Sequence, residues 1–326
     1  MQNPSQSTTA PDKLPDAFTA PIDNHQVFEI RGPDTDRFLQ GQVTCDIQHL
    51  TPETSLPGAA CTPKGRAYAL FRLVRVSEDC VMMRLPASIA DDVSSQLSKY
   101  LAFFKAEMTP AGDWSLTGLV GTEAAAAHVA PPELPGAFNQ VVETANGYLV
   151  ATLPLADGVP RFELWSKGEV SDSGVRHMPG SAWRLAEIQS GLTTLSPDTV
   201  GDYIPLNLNM HAIDGVSFTK GCYTGQEVIA RMHHLGQLKK SLFRLEATFV
   251  DSTPVIGDSL VDADGGKLGS ITDCIATEAG DCHMLAVLSH KAMEATITLA
   301  DQPGARVRLM PMGYSVPEQH GASDKS

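Results

Sequence analysis

The stretch "TKGCYTGQEVIAR", Thr219–Arg231, sets one cysteine, Cys222, between a Lys220-Gly221 pair and a Gly225-Gln226-Glu227 turn. Thr224 with Glu227 three residues later reads as a capping box, and Tyr223 and Val228 are spaced for a hydrophobic staple. The helix they open is expected to run through Val228, Ile229, Met232 and Leu235 and to stop at Gly236. Cys222 then stands two residues before a helix start, close to unpaired backbone N–H groups and the positive end of the helix dipole. Lys220 and Arg231 add positive charge, and such surroundings favour a thiolate. The plainer reading is a cysteine that fills space at a helix entry. Taken by itself the stretch leaves both open.

Working outward, Lys220 to Arg244 holds five cations (Lys220, Arg231, Lys239, Lys240, Arg244) against one anion, Glu227. The segment is +4 in a chain of net charge −14. An anionic small ligand or partner finds its best welcome here. The bland alternative is a solvated face and a strand edge guarded by lysines. His233 and His234, near the end of the same helix, are expected at the surface. A chain of −14 repels polyanions, so no direct nucleic-acid binding is expected.

Before this segment, strands alternate with helices. "HQVFEIRG" alternates as a strand, and "PDTDRFLQGQ" reads as a short helix capped by Asp34 and stopped at Gly41. "YALFRLVRV" and "CVMMRLP" read as a strand pair, and Ile89, Val93, Leu97, Tyr100 and Phe104 mark one face of an amphipathic helix. "TEAAAAHVA" is a second helix, "GYLVATLP" and "RFELWSK" are strands, and "SAWRLAEIQSGL" is a helix ending at Gly191. After Leu238 the texture becomes short strands parted by glycine and proline turns, a small all-β module. The expected divisions are a disordered tail over 1–17, an α+β region over 18–240, a β-barrel over 241–316 and a second disordered tail over 317–326.

Six cysteines are scattered without a CxxC or a zinc-type spacing, so no firmly bound metal is expected. Most are expected to be free thiols acting as small buried hydrophobes. No apolar run is long enough for a membrane span. The first twenty residues lack a basic start and an apolar core, so no signal peptide is expected and the location expected is cytoplasmic.

The stretch from Lys220 to Glu227 resembles, at every fixed position, the signature K-G-C-Y-x-G-Q-E of the YgfZ family of folate-binding proteins. These are relatives of the glycine-cleavage T-protein, an aminomethyltransferase. "FLQGQVTCDI", "CTPKGRAYALFRLV", "WRLAEIQSGL" and "YIPLNLN" agree with the family in the same order, so the resemblance spans roughly residues 25 to 315. It implies an α+β, three-lobed fold: two intertwined α+β lobes and a C-terminal β-barrel around a central pocket. It also implies Cys222 as the functional thiol, framed by Lys220 and Tyr223, and a tetrahydrofolate site. By resemblance, Trp183 stacks near the pterin, Gln42, Thr44 and Asp46 form a loop near the pocket, and Gln226 and Glu227 complete the motif. Lys64, Gly65 and Arg66 match a turn of the family, and Arg231 is placed to meet the glutamate tail of folate.

Two positions depart from the pattern. His25 stands where some members carry an aromatic that forms a second pocket wall. Tyr68 and Ala69 stand where the T-protein has its catalytic aspartate, which leaves no carboxylate there for aminomethyl transfer. The reading implied is therefore a tetrahydrofolate-binding accessory protein for iron–sulfur cluster assembly or repair, and through it for tRNA methylthiolation. Its partners would be iron–sulfur client proteins or glutathione, met through Cys222 in transient exchange, because a conventional cluster normally takes four protein ligands. The alternatives are a folate-dependent aminomethyl or methyl transferase, and a thiol oxidoreductase using Cys222 with Cys61 or another cysteine.

Overall fold

A computed structural model describes residues 9–168, 174–234 and 238–316. Three sheets organise the chain. The first is antiparallel, in the order Leu56–Cys61, Ala67–Ser77, Cys80–Pro86, His25–Arg31, Glu107–Pro110. The second runs Arg176–His177, Phe18–Pro21, Trp114–Val120, Arg161–Lys167, Gly147–Thr152, Val141–Thr144. The chain gives Phe18–Pro21 to the second sheet, builds the whole first sheet, then returns at Trp114. The two lobes are intertwined for that reason.

The third sheet takes Lys240–Thr248, Ser259–Val261, Lys267–Thr277, Cys282–Ser289, Thr298–Leu299 and Arg306–Met310. Its outermost strands, Thr298–Leu299 and Arg306–Met310, approach each other, so the sheet curls into a barrel filled by Leu245, Leu260, Ile271, Met284 and Leu288. Curling removes most of the exposed edge that a flat sheet would leave. The N-terminal side adds to it: Thr9–Ala10 pairs in parallel with Ala276 and Thr277, Asp12 accepts from the Ala279 amide, and Leu14 is buried. The tail expected over 1–17 is thus placed from residue 9, because backbone pairing and two small apolar anchors outweigh its polar composition. The second tail, 317–326, lies outside the described residues, as do Leu235 and Gly236.

Five helices are described: α1 (Thr35–Gln42), α2 (Ala90–Leu101), α3 (Thr122–Ala126), α4 (Gly180–Ser190) and α5 (Gln226–His234). The α1 helix runs one residue past Gly41, and Asp34 accepts from the Lys105 amide instead of capping it. Helix α4 ends as the sequence implies, with Gly191 in the left-handed region at φ +83°. It is buried nearly all round, which is the mark of an interior helix. It packs on Phe18–Pro21 and on two barrel strands, and Arg184 joins it to Asp273 of the barrel. Helix α4 therefore ties the second sheet to the barrel.

Trp183 of α4 lies on the backbone of Gly118, where a Cβ would fall 2.1 Å from the indole ring. Gly118→Ala must displace the indole or a strand, and is expected to lower stability by about 1–3 kcal/mol in urea denaturation. An unchanged midpoint would show that this contact is loose.

Candidate functional site

Charged residues break the apolar strands at three places. Arg72 and Arg84 sit directly opposite each other on paired strands of the first sheet. Like charges in that register repel, and both are nearly fully buried. Glu163 of the second sheet resolves this: its Oε1 lies 3.1 Å from Arg84 Nη1 and 3.8 Å from Arg72 Nε. Trp165 Nε1 donates to its Oε2 at 3.1 Å. Burial works against this carboxylate, but Arg84 and Arg72 hold it below the usual range. Glu187 of α4 reaches the same Arg84 Nη1 at 3.5 Å. There burial prevails and its carboxyl is pushed up. Arg161, buried over the Trp183 ring at 4.2 Å, completes the group and donates to Ser190. Burial brings Arg72 and Arg161 down to about 10.

Three guanidiniums thus face two carboxylates, one of which resists ionisation. Arg84 Nε, Arg161 Nε and Nη2, and Trp183 Nε1 are buried donors without a hydrogen-bond partner. Buried donors normally find acceptors. A cleft with an enclosed volume of about 40 Å³ opens beside this cluster, and Arg72, Arg84 and Glu187 are its charged lining. Leu70, Phe71, Met210 and Ile213 form apolar walls, and Thr193 and Thr194 continue from the end of α4. The cleft therefore sets apolar walls beside a polar edge that carries both donors and an acceptor.

Cys222 lies elsewhere, on the loop that leads into α5. It is the exposed member of the six cysteines; Cys45, Cys61, Cys80 and Cys282 are buried and Cys274 is half-buried. Lys220 does not point at the thiol. Its Nζ donates to the Val43 carbonyl at 2.8 Å and the Cys45 carbonyl at 2.7 Å, above the Tyr223 ring at 5.2 Å. Burial lowers it to about 8, against the opposing pull of Cys45 and Asp46. The expected capping box is replaced. Helix α5 begins at Gln226, Thr224 donates its amide to Gly41 and its hydroxyl to Gln42, and Glu227 pairs with Arg231 at 2.6 Å. Gly225, at φ +87°, seats on Thr62 and Cys61, and Val228 packs over Gly65 of the Lys64–Arg66 turn.

The other anticipated residues fall as follows. Trp183 is buried between Gly118 and Arg161 and does not line the cleft, although Glu187, one turn on, does. Thr44 is buried and bonded to Gly215 and Ala59. Asp46 caps a short turn and accepts from Gln40 and the Gln48 amide, which with His49 and Lys220 outweigh burial and hold its carboxyl low. Gln42 ends α1 and Gln226 and Glu227 open α5, beside the Cys222 loop and away from the cleft, and Arg231 is exposed on α5. Of the five cations of the basic segment, Lys220 and Arg244 are buried and Arg231 is paired, so the exposed patch is smaller than the sequence implies. His233 stacks on Phe218 at 3.7 Å instead of facing only solvent, and His234 meets both edge-on. His25 is buried beside Asn24, and burial with Arg84 holds its imidazole well below its usual range. Tyr68 and Ala69 are buried. Cys61 is buried, with its thiol pushed up to about 12, which makes it a poor partner for Cys222. Among the described residues no group of three or more His, Cys, Asp or Glu is placed to hold a metal, and no helix is long and apolar enough to cross a membrane.

Arg72, Arg84, Glu163 and Glu187 were not singled out by the sequence. For the first three the signal was there: charged residues inside the apolar runs "LFRLVRV", "VMMRLP" and "RFELW".

No family model matches the chain. Among curated proteins it is 29% identical over 314 residues to the tRNA-modifying protein YgfZ of Colwellia psychrerythraea, covering 93% of this chain and 95% of that one. It is also 29% identical over 310 residues to the tRNA-modifying protein YgfZ of Yersinia enterocolitica, covering 91% and 92%. Over more than nine tenths of its length the chain is thus similar to proteins named YgfZ. Among solved structures it superposes on the glycine cleavage system aminomethyltransferase T of Bartonella henselae with a TM-score of 0.63, covering 86% of this chain and 80% of that one. At 18% identity that likeness is one of fold.

The burial of its other cysteines makes the chain testable with a thiol probe. A maleimide is expected to label the native protein about once per chain, fall to near zero for Cys222→Ala, and reach all six thiols only after denaturation. Rapid labelling of native Cys222→Ala would contradict the placement of the other five.

Proposed function

We propose that the chain binds a tetrahydrofolate in the cleft at the Arg84–Glu187 cluster, and that it supports iron–sulfur assembly or repair on which tRNA methylthiolation depends, with Cys222 as the exchanging thiol. The observation that carries the folate part is a cleft whose apolar walls meet Glu187 and Arg84, the latter with its buried Nε unpartnered. A pterin edge carries an amino group and a ring N–H beside a carbonyl oxygen. Glu187 can accept from the first two, and Arg84 can donate to the third. Leu70, Phe71, Met210 and Ile213 would enclose the ring faces. A bound reduced folate would supply nitrogens able to carry one-carbon groups; the chain's own residues bind and orient it.

The names of the relatives support the tRNA-modification part. For Cys222, the support is the exposure of one thiol on a loop of backbone-anchored residues, with no second exposed cysteine to resolve it. That favours exchange with an external partner over an internal dithiol cycle. Tyr68 and Ala69, at the position of the T-protein aspartate, weigh against an aminomethyl transferase.

Titration with tetrahydrofolate, read by tryptophan fluorescence or calorimetry, is expected to saturate. Loss of one hydrogen-bond acceptor oxygen in Glu187→Gln should weaken binding about 10-fold. Cys222→Ala should bind folate like the parent protein yet fail to restore tRNA methylthiolation in cells lacking the gene. No saturable binding would overturn the folate reading, and full complementation by Cys222→Ala would overturn the thiol reading.

A further inference from the structure

We propose that Lys220 is a positioning residue whose ammonium locks the Cys222 loop to the 41–46 loop, so that the two segments loosen or hold as one unit. Its functional consequence rests on the reading of Cys222 as the working thiol; the lock itself does not.

The two segments lie far apart in sequence and meet through a set of bonds that closes on both sides of the thiol. The Ser217 amide donates to the Thr44 carbonyl at 2.8 Å, and the Thr44 hydroxyl donates to the Gly215 carbonyl at 2.6 Å. After the thiol, the Thr224 amide donates to the Gly41 carbonyl at 3.2 Å and its hydroxyl to Gln42 Oε1 at 3.5 Å. Lys220 is the one charged member of this set. Its side chain is 7% exposed, and its Nζ bridges two carbonyls of the 41–46 loop, those of Val43 and Cys45.

A buried ammonium is costly unless it is well bonded. Two short charge-assisted bonds and the Tyr223 ring offset that cost, and they do so only while the two loops stay together. If the loops part, two buried carbonyls lose their donor in the same event. The other contacts are neutral, and two of them are long. This makes the lysine the element that couples the segments. Between the Lys220 and Thr224 anchors, Gly221 and Cys222 remain exposed. The thiol is thus held out from a frame fixed at both of its ends, which suits a cysteine that must meet a partner's sulfur or metal in one orientation.

The test is hydrogen exchange by mass spectrometry on the full chain, comparing the parent with Lys220→Met, Lys220→Arg and Cys222→Ala. Lys220→Met keeps the apolar stem and removes the donors. It is expected to raise exchange about tenfold or more in peptides covering 41–46 and 215–224 together, with the barrel and α4 unchanged. Lys220→Arg, which keeps a cationic donor, should recover at least part of the protection in both. Cys222→Ala should leave both as in the parent. Unchanged exchange in Lys220→Met, or loosening of one segment without the other, would overturn the lock. In cells, Lys220→Met should lose tRNA methylthiolation as Cys222→Ala does, while still binding tetrahydrofolate. Should Cys222→Ala complement fully, the thiol reading falls, and the exchange data still decide the lock.

Discussion

The structure turns on a buried excess of positive charge. Arg72, Arg84 and Arg161 meet Glu163 and Glu187 where the two intertwined lobes and α4 converge. No single element holds the cluster: the first sheet brings two arginines, the second an arginine and a glutamate, and α4 the other glutamate. Removing one partner from such a group leaves an uncompensated charge in a poor solvent for it, which is far more damaging than the group is stabilising. The lobes are therefore bound to one mutual arrangement, and Arg84 Nε remains without a hydrogen-bond partner beside the cleft.

That surplus separates the tasks of the cleft and of the thiol. On the proposed reading, the cleft takes a ligand edge that completes the hydrogen bonds of Arg84 and Glu187. The Cys222 loop is a display, pinned to neighbouring loops by backbone bonds and by Lys220 and left open at Gly221 and Cys222. A protein so built can bind a folate and offer a thiol without housing both functions in one pocket. Helix α4 links the two halves of the molecule to the barrel through Arg184 and Asp273.

Local patterns were the legible part of the sequence. The helix over "SAWRLAEIQSGL" and its Gly191 cap, the strand pair "YALFRLVRV"/"CVMMRLP", and the change to short strands after Leu238 depend on neighbours in the chain, and periodicity reports them. The signature around Cys222 led to the fold by resemblance. What could not be read were partnerships across long separations. Lys220 reads as a charge beside a thiol, yet its acceptors are 177 and 175 residues away. Thr224 and Glu227 match a capping box, but Gly41, Gln42 and Arg231 compete for them and win. Trp183 reads as a ligand platform, and the glycine at 118 lets it sink into the interior instead. Glu163 carried no local signal beyond being a charge in an apolar strand; only the pairing of Arg72 with Arg84 gives it a reason.

The most direct measurement is a crystal structure of the protein with a reduced folate bound. The account places the pterin in the cleft, its amino edge on Glu187 and its carbonyl on Arg84, with the previously unpartnered Arg84 Nε engaged. A folate seated against the Cys222 loop, or held at the mouth with the charge cluster untouched, would contradict it.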